Sequence, residues 1–239
     1  MSKTMLVSSR KLKEKLMILN PEYEVFTANG DDHILTSIET PLRKDAFDKT
    51  DNEKIANIQK HFALIMDELG LDLTDDSLKG TPYRVAKMFV QEIFSGLNPE
   101  NKPSISVFEN KYQYNKMLVE SNISVASSCE HHFLPILGKA HVGYISNGRV
   151  IGLSKINRIV DYFAKRPQVQ ERMTVQIFNE LKSVLNTEDV IVVVEASHMC
   201  VSTRGINDKS SMTTTIEYGG QFTNVNMRSD FFQMVYKKT

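Results

Sequence analysis

From Asp51 onward the apolar positions fall into a helical rhythm. Ile55, Ile58, Phe62, Ile65, Met66 and Leu69 lie on one face of a 3.6-residue repeat that Gly70 ends. A second helix is expected from Thr81 as N-cap, with Pro82 at the first helical position and Val85, Met88, Phe89 and Ile93 as its apolar side, running to Gly96. After Pro103 the period shortens toward two. The stretches 104–108, 117–128 and 138–146 then read as strands of one antiparallel sheet. Two further helices follow. The first starts at Ser154, buries Ile156, Ile159, Val160, Phe163 and Ala164, and stops before Arg166-Pro167; the second spans 169–186 on Val169, Met173, Ile177, Leu181 and Val184. A β-branched run at 189–197 is a strand, and 210–220 is the last one. Helices inserted between strand pairs make the fold α+β.

This pattern divides the chain into a polar extension at 1–50, a helical part of the core at 51–100 and a sheet-bearing domain at 101–239. The extension has turn signals such as Asn29-Gly30-Asp31-Asp32 but no strong periodicity. No internal repeat or low-complexity tract is visible.

Composition changes the picture little. The 239 residues are 41% hydrophobic and 24% charged, ordinary for a globular chain, and the formal net charge is zero. Nothing global therefore favours nucleic acid or an anionic membrane. No apolar run approaches the roughly 18 residues needed to span a bilayer. The basic start lacks a secretory h-region and cleavage site, although Lys3, Arg10, Lys11, Lys13 and Lys15 against the single Glu14 leave a mitochondrial presequence open. Two cysteines make no disulfide framework, so a reducing, cytoplasmic compartment is expected.

Those two cysteines stand in unusual company. Cys129 lies three residues before His132 in SSCEHHFLPI, and Cys200 lies two after His198 in ASHMCVSTRG. Cys129, His132 and Cys200 together would form a Cys₂His set of the kind zinc prefers, with a fourth tetrahedral position open for water. A closed structural site completed by His131 or His198 stays possible on spacing alone, as do two buried thiols with no metal. Strand alternation would put His198 on the same face as Cys200, beside the metal rather than on it. His131 and His198 are then candidate proton-transfer groups, since imidazoles titrate near neutral pH. His33, His61 and His141 have no such neighbours and read as structural.

A second cluster suits anions. Ser154 as a helix N-cap, with Lys155 and Arg158 on the face opposite the apolar one, offers a hydroxyl, amide N–H groups and two cations. A solvated helix face is the plain alternative. Arg204 and Arg84 could add charge, and no Walker-type phosphate loop occurs. Glu171, beside Gln170 in the first turn of the next helix, either complements the helix dipole or accepts two hydrogen bonds from adjacent donors such as the guanine N1–H and amino group.

The motifs SSCEHHFLPI, GLSKINRIVDYFAKRPQVQERMT, HMCVSTRGI, DDSLKGTPYRVAKMFVQEIFSGL and MTTTIEYGG, taken in order from about Asp51 to Phe232, closely resemble the GTP cyclohydrolase I family. The resemblance implies a tunnelling fold (T-fold): a four-stranded antiparallel sheet with two helices between its strand pairs, preceded by N-terminal helices. It implies subunits joined through their sheets into rings, two pentamers stacked as a homodecamer, and active sites between subunits. It implies Zn(2+) on Cys129, His132 and Cys200, guanine held by Glu171 with help from Gln170, and triphosphate held by Ser154, Lys155, Arg158, Arg204 and Arg84. His131 and His198 would move protons.

The implied reaction converts GTP and water to formate and 7,8-dihydroneopterin triphosphate, the first step of pterin (folate or biopterin) synthesis. Zinc hydroxide would attack purine C8 while His131 protonates N7, with His198 acting in the later ribose rearrangement. A related pterin or deazapurine enzyme would be expected to place its cysteines and histidines differently. A catalytically inactive, ring-forming nucleotide-binding T-fold protein should have lost a ligand or a proton-transfer histidine.

Overall fold

A computed structural model describes residues 37–236. Every element named here belongs to the compact unit Glu39–Thr239. The basic start, the turn at 29–32 and His33 lie outside the described residues.

Helix α1, Asp51–Glu68, opens with a capping box. Thr50 Oγ1 accepts from the Glu53 N–H at 3.3 Å, and the Glu53 carboxylate accepts from the Thr50 N–H at 2.8 Å. The expected apolar face is only partly covered: Ile55 and Met66 are buried, whereas Ile65 and Leu69 are exposed. Helix α2, Thr81–Met88, is capped by Gly80 rather than Thr81, and Pro82 sits one position later than expected. Nor does it run unbroken to Gly96. A π-turn spans Phe89–Ile93, with the Phe94 N–H reaching Phe89 O, and a 3₁₀ turn follows at Ser95–Leu97. Gly96 is required by close approach, since a Cβ there would stand 2.0 Å from Tyr162 O.

The main sheet has the order β5-β2-β3-β6-β7, formed by β2 Met117–Cys129, β3 Pro135–Ile145, β5 Pro167–Gln168, β6 Val190–His198 and β7 Thr213–Tyr218. Four strands are antiparallel, as the resemblance implies, and the two-residue β5 adds a parallel edge to β2. One expectation is corrected. The stretch 104–108 contributes β1, Val107–Glu109, which pairs with β4, Arg149–Ile151, in a separate two-stranded ribbon. The exposed β1 side chains give it no face to bury in the main sheet. Gly138 in β3 lets β6 pass closely, because a Cβ would lie 2.0 Å from Glu195 O.

Helices α3, Leu153–Ala164, and α4, Gln170–Leu185, lie between the two antiparallel strand pairs in sequence. Their apolar sides pack on one face of the sheet: Ile156, Ile159, Val160, Met173, Ile177 and Leu181 meet Val125, Val142, Val190, Val192 and Val194. Asn186 ends α4 in the left-handed conformation, φ 52°. The alternate residues Ile191 and Val193 face the other way and meet Phe222 and Phe231. β6 is thus buried on both faces, which accounts for its continuous apolar run. The second cover is α6, Val225–Tyr236, a helix the period analysis did not assign. Asn224 signals its start, accepting from the Asn226 N–H at 2.8 Å.

His141 lies on that second face, 2% exposed. Its Nδ1 accepts from the Asn122 N–H at 3.3 Å, and its Nε2 stands 3.4 Å from Glu195 Oε2 without the alignment of a hydrogen bond. Burial pushes its pKa down, against a smaller upward pull from Glu195; nearby Lys139 adds to the depression. The Tyr236 hydroxyl, beside the same carboxylate, is pushed up to about 12, by burial first and Glu195 second. A depressed histidine binds fewer protons folded than unfolded below its unfolded value of 6.5. Its contribution is therefore intact above that value and lost as pH falls through it. Between about pH 7 and pH 5.5 the urea midpoint should fall more steeply for the native chain than for His141→Leu. Parallel slopes would clear His141 of any part in acid sensitivity.

Candidate metal and catalytic centre

β2 and β6 both run antiparallel to β3, so their C-terminal ends lie at the same end of the sheet. Cys129 is the last residue of β2. The loop after it closes tightly, with the Phe133 N–H donating to Cys129 O and the Cys129 N–H to Leu134 O, both at 2.8 Å. β6 ends at His198, and Cys200 sits in the short helix α5, Met199–Ser202. Topology therefore brings together two thiols 71 positions apart in the chain.

The ligand atoms of Cys129, His132 and Cys200 all lie within 4.8 Å of one another. Ligand atoms around a tetrahedral zinc stand about 3.3–3.8 Å apart, so a small inward movement closes this set on an ion. The donors are two sulfurs and an imidazole, a combination that suits zinc. Among the described residues the group has three members, and neither His131 nor His198 joins it. Burial pushes the Cys200 thiol up, and the neighbouring Cys129 sulfur adds to the shift. Metal binding must therefore displace a proton there.

The surrounding groups are oriented by specific contacts. His131 Nδ1 lies 3.7 Å from Cys129 Sγ. Arg204 Nη1 donates to His132 Nε2 at 2.8 Å; a guanidinium can only donate, so that ring nitrogen accepts, and either this contact or the Nδ1 proton gives way when His132 takes an ion. His198 Nε2 meets Gln170 Oε1 at 2.8 Å. The Gln170 amide cannot be reversed, because its Nε2 already faces Val194 O, Thr213 O and Thr215 Oγ1 at 3.0, 3.0 and 3.2 Å. His198 therefore carries its proton on Nε2 and keeps the lone pair on Nδ1. Burial pushes the His198 pKa down, and the Glu171 carboxylate opposes this.

One expectation changes here. Cys200 is not on a strand with His198, so alternation is not what places them; the strand gives way to a helix between them. Gln170 is 1% exposed, and within its own chain its side chain orients the His198 ring.

Glu171 is exposed in the first turn of α4, one residue after Gln170. Ser154 is not the cap of α3; Gly152 is, and Ser154 stands exposed in the first turn. Lys155 Nζ donates to Ser104 O at 2.8 Å, and Arg158 is exposed on the same helix. Arg84 is held at its own helix start by Ser77 O and Thr81 Oγ1, at 3.2 and 2.8 Å. Among the described residues, no hydrogen bond or ion pair links Ser154, Lys155, Arg158 or Arg84 to the cysteine–histidine group. Arg204 is the one expected phosphate-binding residue that the chain itself places there.

Sequence reasoning overlooked Glu130 and Arg172, which form an ion pair between the metal loop and α4. It also overlooked Phe133, which adopts φ 55° and packs against Phe94 and Phe89 with ring centroids 5.1 and 6.5 Å away. Glu130 lies inside the Cys-Glu-His-His motif, but its partner is 42 residues on and no spacing rule joins them.

Fold and site together define a T-fold protein with a three-ligand cysteine–histidine group at one end of its sheet. The family model for GTP cyclohydrolase I matches residues 58–236. A GTP cyclohydrolase 1 from Flavobacterium johnsoniae is 59% identical over 206 residues, covering 86% of this chain and 92% of that protein. Relatives of the same name from Aeromonas salmonicida and Vibrio parahaemolyticus are each 51% identical over 195 residues. These cover 81% of this chain and 88% and 89% of their own lengths. The crystal structure of an archaeosine synthase QueF-Like protein aligns with a TM-score of 0.37 and 18% identity over 44% of this chain and 94% of that one, a likeness too loose to carry an argument. The chain belongs to the GTP cyclohydrolase I family, a family of enzymes.

Proposed function

We propose that this chain converts GTP and water to formate and 7,8-dihydroneopterin triphosphate, using zinc held by Cys129, His132 and Cys200. The observation that carries the reading is the convergence of those three donors, from the end of β2, the loop after it and the short helix after β6, into one group. Zinc bound there would supply Lewis acidity able to activate water near neutral pH.

The remaining chemistry falls to side chains of the chain. Glu171 accepts hydrogen bonds from the guanine N1–H and amino group, fixing the purine. His131, beside the Cys129 sulfur, delivers a proton to N7 as water adds to C8 and the imidazole ring opens. After formate leaves, His198 uses the Nδ1 lone pair that Gln170 leaves available to move protons during the ribose rearrangement. Ser154, Lys155, Arg158 and Arg204 hold the triphosphate, with Arg84 beside them.

Because Lys155 and Arg158 make no hydrogen bond or ion pair with the cysteine–histidine group of their own chain, a complete site draws them from a neighbouring subunit. The outer edge of β7, unpaired among the described residues, and the exposed Ile65 and Leu69 on α1 are surfaces such an assembly covers, consistent with rings built through the sheets and stacked as a homodecamer. A reducing, cytoplasmic setting suits two unpaired cysteines. No helix among the described residues is long and apolar enough to cross a membrane.

The test is direct. Purified protein with zinc and GTP should release one formate per pterin, and oxidation of the product should yield neopterin fluorescence. GTP binding without either product would point instead to a non-catalytic ring-forming protein.

A further inference from the structure

The first turn of α4 does more than present Glu171. Its next residue, Arg172, is 6% exposed and carries a charge into the protein interior. Arg172 pairs with the Glu130 carboxylate, donates from Nε to Gln168 Oε1 at 3.0 Å, and donates from Nη2 to Pro167 O at 3.2 Å. Gln168 is 0% exposed, and its amide nitrogen is fixed by Phe163 O and Gln176 Oε1 at 2.8 and 2.9 Å. The Glu130 N–H in turn donates to Gln168 O at 3.1 Å. Glu130 is thus held at backbone and carboxylate by one rigid buried frame.

That residue stands between Cys129 and the two histidines of the motif, and its second carboxylate oxygen lies 4.0 Å from His131 Nε2. With Arg172 buried and Glu130 partly exposed, the pair is a poor device for stability alone, because desolvating the guanidinium offsets much of the attraction. It does set geometry, since a planar guanidinium accepts few arrangements of its partners.

We propose that Arg172, acting through Glu130 and Gln168, is a positioning residue for the metal centre: it holds the Cys129–His132 loop in the shape that lets both ligands reach one ion. This rests on the metal-binding reading of Cys129, His132 and Cys200. The same short helical turn then serves three tasks, with Gln170 orienting His198, Glu171 facing substrate and Arg172 setting the loop.

The experiment measures zinc affinity of the full chain by chelator competition, together with the cobalt(II) absorption spectrum and the melting temperature of metal-free protein. Arg172→Lys keeps the charge but loses the fork, and Arg172→Met with Glu130→Gln replaces the ion pair without leaving a lone charge. Both should weaken zinc binding by about 10- to 100-fold and alter the cobalt spectrum, a loss larger than the fall in metal-free melting temperature that the missing Gln168 and Pro167 bonds account for. Glu130→Gln alone, which still accepts from Arg172, should lose less. Native zinc affinity and an unchanged cobalt spectrum in Arg172→Lys and in the double variant would overturn the proposal. So would a loss of affinity that merely tracks a falling melting temperature. If the native chain itself binds no zinc, the metal-binding reading fails first, an outcome distinct from native binding that the variants leave intact.

Discussion

Cys200→Ala is expected to abolish stoichiometric zinc and to lower formate release from GTP by at least about a thousandfold, roughly 4 kcal/mol of transition-state stabilisation. The reason is the size of the ligand set. Among the described residues three donors converge, so removing one leaves Cys129 and His132, too few to hold an ion against dilution. The substitution should spare the fold, because Cys200 is only partly buried in a four-residue helix and its neighbours there keep their contacts. Circular dichroism and sedimentation should match the native protein while metal analysis does not. Metal-free protein that still releases formate at the native rate would remove the zinc reading altogether.

Glu171→Ala should raise the KM for GTP by about a hundredfold or more, with the larger part of the loss shared by every guanine-bearing ligand. A carboxylate facing two adjacent donors is hard to replace, since both donors would be left desolvated without an acceptor. The sharper measurement compares GTP with inosine triphosphate, which lacks the 2-amino group. Native protein should favour GTP strongly, and that preference should collapse in Glu171→Ala. The substitution also removes the negative charge that opposes the downward shift of His198, so the His198 pKa should fall further. An unchanged GTP/ITP ratio would return Glu171 to the part of an ordinary helix-start carboxylate.

Much of the architecture was legible from local patterns. The starts of α1 and α4, the continuous apolar run of β6, and the stop before Arg166-Pro167 each follow from signals confined to a few neighbouring residues. The Cys129–His132 half of the metal group was legible for the same reason: its spacing is short. Errors arose where a local signal had two outcomes. Thr81 and Ser154 resemble N-caps, yet Gly80 and Gly152 hold those positions, and the Thr81 hydroxyl accepts from Arg84 of its own helix instead of capping it. The alternating run at 104–108 is strand-like, but pairing partners decide which sheet a strand joins, and its partner is β4. Helix α6 escaped notice because its apolar residues match a surface provided by β6, not a marked stripe of their own.

The amino-acid sequence by itself determined helices α1, α3 and α4, the four antiparallel strands of the main sheet, and the chemical identity of every proposed ligand and proton-transfer group, since these depend on residue type and near-neighbour spacing. Tertiary structure alone decided that Cys200 meets Cys129, that Gln170 meets His198, and that Arg172 reaches Glu130. Those relations join segments 28 to 71 positions apart. They are fixed by the order of strands in the sheet and by the need of buried polar groups to find partners, neither of which any local pattern contains.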